Sequence, residues 1–267
     1  MEWLHAAGAF KTKDLKVPII RQLTLETAKI FNEAVDAELK HVPPSSILTR
    51  ALKQSGHVFS GFKTLHQVKE AEALLMDDNG EIKPFERFLN DVRTIDDTYN
   101  ETYLHAEYKF ATASAQMADR WHKFQEDGDR YDLQYRTAND NRVRETHAEL
   151  HNVTLPFDSP FWDKYFPPNG WGCRCTVVQV RKGKYPVSNL EEAMKKGDEA
   201  TSGKFQKMFR FNPGKDKRLF PPHNPYTLGH CDGCNKSGFP LARIPDNELC
   251  KACPLIRTMA NNEEGER

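Results

Sequence analysis

The chain has 267 residues, 38% of them hydrophobic, and its 38 lysines and arginines balance 38 acidic residues. That length can bury an ordinary core as one large domain or two modest ones, and zero net charge excludes a global field holding the chain on nucleic acid or an anionic membrane. No window approaches the roughly 18 apolar residues that span a bilayer, and residues 1–20 carry charges where a secretory leader would be apolar, so the chain reads as soluble and non-secreted.

Leu23, Thr27, Ile30, Phe31, Ala34 and Leu39 recur near helical spacing until Pro43 and Pro44 break the pattern, which predicts an amphipathic helix over 24–39. A second helix is expected to start at Thr64, which has capping-box spacing to Gln67, and to bury Leu65, Val68, Ala71 and Leu75. Asp77-Asp78-Asn79-Gly80 then reads as a turn. Phe85, Phe88, Leu89, Val92, Ile95 and Tyr99 form one stripe, and Tyr103, Ala106, Phe110, Ala113, Met117, Trp121 and Phe124 another, which favours long helices. Asp127-Gly128-Asp129 stops the second of these. Composition then shifts to Tyr, Arg, Pro and Gly, with a strand predicted around Val177–Val180. Ser188 and Glu191 have capping-box spacing for a short exposed helix that Gly197 would end, and the polar Asn261–Arg267 is expected to fray.

All six cysteines lie in the last hundred residues or so, in close pairs, which points to metal rather than to disulfides. Cys231-x2-Cys234 and Cys250-x2-Cys253, separated by fifteen residues, have the spacing of a four-thiolate structural zinc ribbon or knuckle. Four cysteines leave no open vertex for water or substrate, so such a zinc would be structural. An iron-bearing four-thiolate site or a pair of disulfides would use the same residues.

His147 and His151 are four apart, so a helix would present both imidazoles on one face, and Cys173 and Cys175 follow a Pro-Gly turn that can bring thiolates nearby as a second metal site. The alternative is that the histidines make ordinary hydrogen bonds while Cys173 and Cys175 alternate across a strand, one buried and one exposed. Arg136, Arg142, Arg144 and Arg174, with Asp140 and Glu145, are expected to form a charged network. The aromatic segment carrying Phe157, Phe161, Trp162, Tyr165, Phe166 and Trp171 either seals a loop over the core or anchors a partner. Lys204, Lys207, Arg210, Lys215, Lys217 and Arg218 are interleaved with Phe205, Phe209 and Phe211, which suits a nucleic-acid or acidic-partner contact or a solvated linker equally well.

The run from Tyr131 to Cys175, with Arg136, Asp140, Arg142, Arg144, His147 and His151 leading through Phe161-Trp162 to Pro167-Pro168-Asn169-Gly170-Trp171-Gly172-Cys173-Arg174-Cys175, resembles the head-morphogenesis domain of the phage Mu F-like family. Upstream, Phe59-Ser60-Gly61-Phe62-Lys63-Thr64, Tyr99-Asn100 and Tyr103-Leu104-His105-Ala106-Glu107-Tyr108 stand in that family's order, so the resemblance covers most of residues 10–186. It implies a minor structural protein of a tailed-phage or prophage head, present in the virion and in the host cytoplasm during assembly. The expected partners are portal, capsid or scaffold proteins, with no membrane and no small-molecule substrate. It implies no catalytic residues. A rival reading is a nucleic-acid-directed enzyme, nuclease or toxin-like, built around His147 and His151. Another is a packaging accessory that binds duplex nonspecifically.

The expected fold is α+β: a helical arm over 1–60, a head-morphogenesis core over 61–186, a basic linker with a short helix over 187–230, and a four-cysteine zinc module over 231–267. Zinc is the expected cofactor.

Overall fold

The computed structural model describes residues 1–127, 130–203, 205–227, 244 and 246–265. The fold is α+β, with long helices in the N-terminal half and, among the described residues, one small antiparallel sheet. The described chain divides into two compact units, one made of 1–32, 54–106 and 223–267, the other of 33–53 and 107–222. No helix among the described residues is long and apolar enough to cross a membrane.

The first unit draws on helices α1 (Glu2–Ala7), α2 (Pro18–Glu38), α3 (Ile47–Ala73), α4 (Phe85–Asp97) and α9 (Asp246–Gly265). The predicted first helix is α2, begun earlier at Pro18, a residue suited to a helix's first turn because its missing N–H is not needed there. The expected start at Thr64 is a correction. That residue lies inside the 27-residue α3, 1% exposed, where its hydroxyl accepts a 3.0 Å hydrogen bond from Thr24 rather than capping a terminus. The 77–80 turn forms as expected: Asp77 Oδ1 accepts from the amides of Asn79 and Glu81, and Gly80 takes φ +80°.

Between α4 and α5 (Leu104–Asp127), residues Thr98–Tyr103 form a π-helical turn. In the first unit the Lys63 side chain, 1% exposed, donates to the carbonyl of Tyr99 in that turn at 2.7 Å. A wider turn frees carbonyls from the i to i+4 ladder, and a buried ammonium requires such an acceptor. α9 packs within the same unit. A Cβ on Gly61 would sit 2.6 Å from Ile256, Lys69 pairs with Glu248 at 3.0 Å, and Gln54 bonds Asn261.

The second unit centres on a sheet ordered β2 (Thr154–Pro156), β1 (Tyr131–Arg136) and β3 (Thr176–Arg181). All pairings are antiparallel, with Leu133 opposite both Leu155 and Gln179. The strand predicted at 177–180 is β3. β1 is buried on both faces. Leu133 and Tyr135 share one face by the period of two, and on the other Gln134 is satisfied in part by donating to Thr154 Oγ1 at 2.8 Å. Helices α6 (Glu145–Ala148), α7 (Phe161–Tyr165) and α8 (Leu190–Ala200) complete this unit, and α6 and α7 both contact α8.

Helix α8 corrects two local expectations. Its N-cap is Asn189, whose side chain accepts from the Glu192 amide at 3.0 Å, while Ser188 Oγ instead accepts from the Thr154 amide of β2. Gly197 does not end the helix. It lies where a Cβ would be 2.5 Å from the Tyr165 ring, so it is a close-packing glycine. Gly197→Ala would ordinarily gain about 1 kcal/mol of helix propensity. Here we expect a net loss of about 1–2 kcal/mol from overpacking, read as a lower urea midpoint.

Candidate metal centre

His147 sits in the single turn of α6 and is 2% exposed. Its Nδ1 lies 3.7 Å from Cys173 Sγ and 3.7 Å from Cys175 Sγ. The three potential donor atoms are all within 4.8 Å of one another. The expected alternation of Cys173 and Cys175 is therefore a correction. In an extended segment residues i and i+2 share a face, so both sulfurs turn inward and the intervening Arg174 turns outward.

Local chemistry shapes this loop. The Cys173 amide bonds the Gly170 carbonyl at 3.1 Å, and Gly172 adopts φ +67°, a conformation that favours glycine. Asn169, fully buried, accepts from the Tyr135 hydroxyl at 2.9 Å, and Arg144 donates to the Trp171 carbonyl at 2.7 Å. On the outside Arg174 grips Asp140 through two bonds of 2.6 and 2.5 Å. The hydrogen bonds from Arg174 hold the Asp140 carboxyl down at about 2.

Cys173 is held well below the ordinary thiol range, chiefly by its hydrogen bond with Cys175 and, against the opposing effect of burial, by His147, while the same hydrogen bond and burial push Cys175 up. Burial pushes the Tyr135 hydroxyl up as well, with the adjacent sulfurs adding to it.

His151 does not join this group. α6 ends at Ala148, and His151 Nδ1 instead accepts from the Thr137 amide at 3.2 Å and lies 2.9 Å from Thr137 Oγ1. Of the expected charged network, Asp140 gathers Arg174 and, at 3.8 Å, Arg142. Arg144 serves a carbonyl instead, and Arg136 lies over the Tyr185 ring at 5.9 Å. Trp162 is fully buried, its indole N–H donating to the Pro156 carbonyl at 2.9 Å, so the aromatic segment around it is core. Trp171 packs edge-on against Phe110 at 5.0 Å.

In the basic stretch, Arg210 pairs with Asp198 at 2.8 Å and Lys215 with Asp163 at 2.5 Å, and Phe209 and Phe211 are buried. Lys207, Lys217 and Arg218 are exposed, and Lys204 lies outside the described residues. In the tail, Cys250 and Cys253 lie one turn apart on α9, and Cys231 and Cys234 lie outside the described residues. Sequence reading missed Tyr135 and Asn169. The signal available for them was a tyrosine inside an alternating strand and an asparagine inside the Pro-Gly turn.

Residues 67–178, which contain all three residues of the His147 group, match the family described as phage Mu protein F like protein. That segment belongs to the phage Mu F-like family. The chain is 41% identical over 71 residues to the putative capsid assembly protein F of Escherichia phage Mu, covering 26% of this chain and 16% of that protein. It is 46% identical over 43 residues to the Mu-like prophage FluMu F protein of Haemophilus influenzae, covering 16% of this chain and 10% of that one. An uncharacterized protein of Methanocaldococcus jannaschii is 44% identical over 48 residues, 18% of this chain and 7% of its own. The chain therefore spans only a small part of these relatives. No solved structure matches.

Proposed function

We propose that this chain is a component of a tailed-phage or prophage head that works in head assembly by binding other head proteins rather than by turnover. The observation that carries the reading is the Mu F-like segment over 67–178, shared with a relative named for capsid assembly. The chemistry supports binding over catalysis. A nuclease built on His147 and His151 needs the two rings to converge with a carboxylate, whereas His147 is buried against thiols and His151 is engaged by Thr137. Portal, capsid and scaffold proteins are the proposed partners, with the virion head as destination and the host cytoplasm as the place of assembly. We take Cys231, Cys234, Cys250 and Cys253 as a structural zinc site in the tail, on the strength of their spacing.

Purification of the tagged chain from cells expressing its own head genes should recover a portal or capsid protein. Recovery of the chain alone, together with normal infectious heads formed in its absence, would overturn the reading. For the DNA-binding alternative, Arg210 and Lys215 are already committed to carboxylates. We therefore expect weak duplex affinity at physiological salt, unchanged in a Lys207→Ala, Lys217→Ala, Arg218→Ala variant when measured by fluorescence anisotropy. Tight binding that falls steeply with salt and is lost in that variant would restore the packaging-accessory reading.

A further inference from the structure

We propose that His147, Cys173 and Cys175 bind one thiophilic divalent ion, zinc first among them, in the second unit and separately from the cysteines of the tail. This goes beyond head assembly and holds whether or not that reading stands.

Geometry carries the inference. In a tetrahedral site with Zn–S near 2.3 Å and Zn–N near 2.0–2.1 Å, nitrogen and sulfur ligands stand about 3.6 Å apart. Both Nδ1 to sulfur separations here are 3.7 Å. Hydrogen bonding alone accounts for the arrangement poorly. One imidazole nitrogen has either one proton or one lone pair, so it can make one good bond, yet it stands equally close to two sulfurs. An ion at the centre engages all three donors at once.

The support around the group suits a metal loop. The Gly170–Cys173 turn brings the two cysteines round, and the Asp140 to Arg174 fork holds the residue between them from outside. Tyr135, next to the two sulfurs, is itself held by its hydrogen bond to Asn169. Among the described residues nothing hydrogen-bonds the buried His147 Nε2, so packing and what lies at Nδ1 position the ring. Among the described residues no further His, Cys, Asp or Glu joins the group, so these residues supply three ligands of a tetrahedral site. Two thiolates and an imidazole favour zinc over the hard cations calcium and magnesium, which take oxygen ligands.

The test uses the full-length chain carrying Cys231→Ser, Cys234→Ser, Cys250→Ser and Cys253→Ser, which removes the tail's thiolates. Elemental analysis should find about one zinc per chain. Titration of the zinc-free protein with cobalt should give thiolate-to-cobalt charge-transfer bands and tetrahedral d–d bands that saturate at one equivalent. Adding Cys175→Ser should weaken the charge-transfer intensity by about half, and adding both His147→Ala and Cys173→Ser should abolish binding, with far-ultraviolet circular dichroism reporting the fold. If those last variants do not fold, the four-serine protein alone decides. Zinc and the thiolate bands in it support the site, whereas no zinc and no thiolate bands overturn it and leave the group as a buried hydrogen-bonded cluster.

Discussion

Trp162→Ala is expected to destabilise the second unit by about 3–5 kcal/mol, the usual range for deleting a fully buried indole. The residue is 0% exposed and its ring meets Phe161 edge-on at 4.9 Å and Phe166 at 6.2 Å. Truncation opens a cavity that these rigid neighbours cannot close, and it orphans the Pro156 carbonyl that the indole N–H now serves at 2.9 Å. The backbone of the same residue accepts from Asn212 Nδ2 at 3.1 Å, so any shift of α7 also disturbs the loop that follows α8. Against a typical total of about 5–15 kcal/mol the loss is large enough to unfold the sheet unit under mild conditions. Urea titration followed by circular dichroism should show it. Trp171→Ala, at a half-buried position, should cost clearly less, and equal losses for the two would mean that Trp162 is not the centre of this core.

Acidification from pH 6.5 to 4 should weaken the first unit through His66. The imidazole is 1% exposed, bonds the Tyr226 carbonyl at 3.0 Å and lies against the Tyr226 ring at 5.5 Å. Burial lowers its pKa to about 4 from 6.5, and the carbonyl only partly offsets that. In this window the unfolded chain takes up a proton that the folded one refuses, so stability rises with pH. The contribution is complete above the unfolded value and is lost as pH falls towards 4, about 3 kcal/mol at roughly 1.4 kcal/mol per pH unit. Urea midpoints at pH 7.5, 5.5 and 4.5 should fall more steeply for the native chain than for His66→Gln, which keeps a donor for Tyr226 but does not titrate. Parallel slopes for the two proteins would remove His66 as the cause, because the carboxylates titrate alike in both.

Much of the helical architecture was legible because apolar spacing reports which side of a segment is buried. The stripes around Phe88 and Val92, and around Phe110, Met117 and Trp121, became α4 and α5 as expected. Local motifs were less reliable where a polar side chain had a choice of partners. Thr64 and Ser188 both had capping-box spacing, yet one hydroxyl meets a threonine on another helix and the other meets a strand amide. Gly197 looked like a helix stop for a related reason: a glycine is required equally by a left-handed turn and by an aromatic ring pressed on the backbone, and only packing distinguishes them.

The sequence by itself determined the inventory: the membership of residues 67–178 in the Mu F-like family, the run of helices followed by short strands, and two histidines and two cysteines as candidates for meeting a soft metal. Tertiary structure decided which of these groups meet. His147 and Cys173 are 26 residues apart, and α6 ends one turn too early for His151 to follow. Antiparallel pairing of β1 with β3 folds the chain between them back so that the Cys-Arg-Cys turn returns to α6. Periodicity describes one segment's faces, whereas a ligand set assembled from separate segments exists only once those faces are packed.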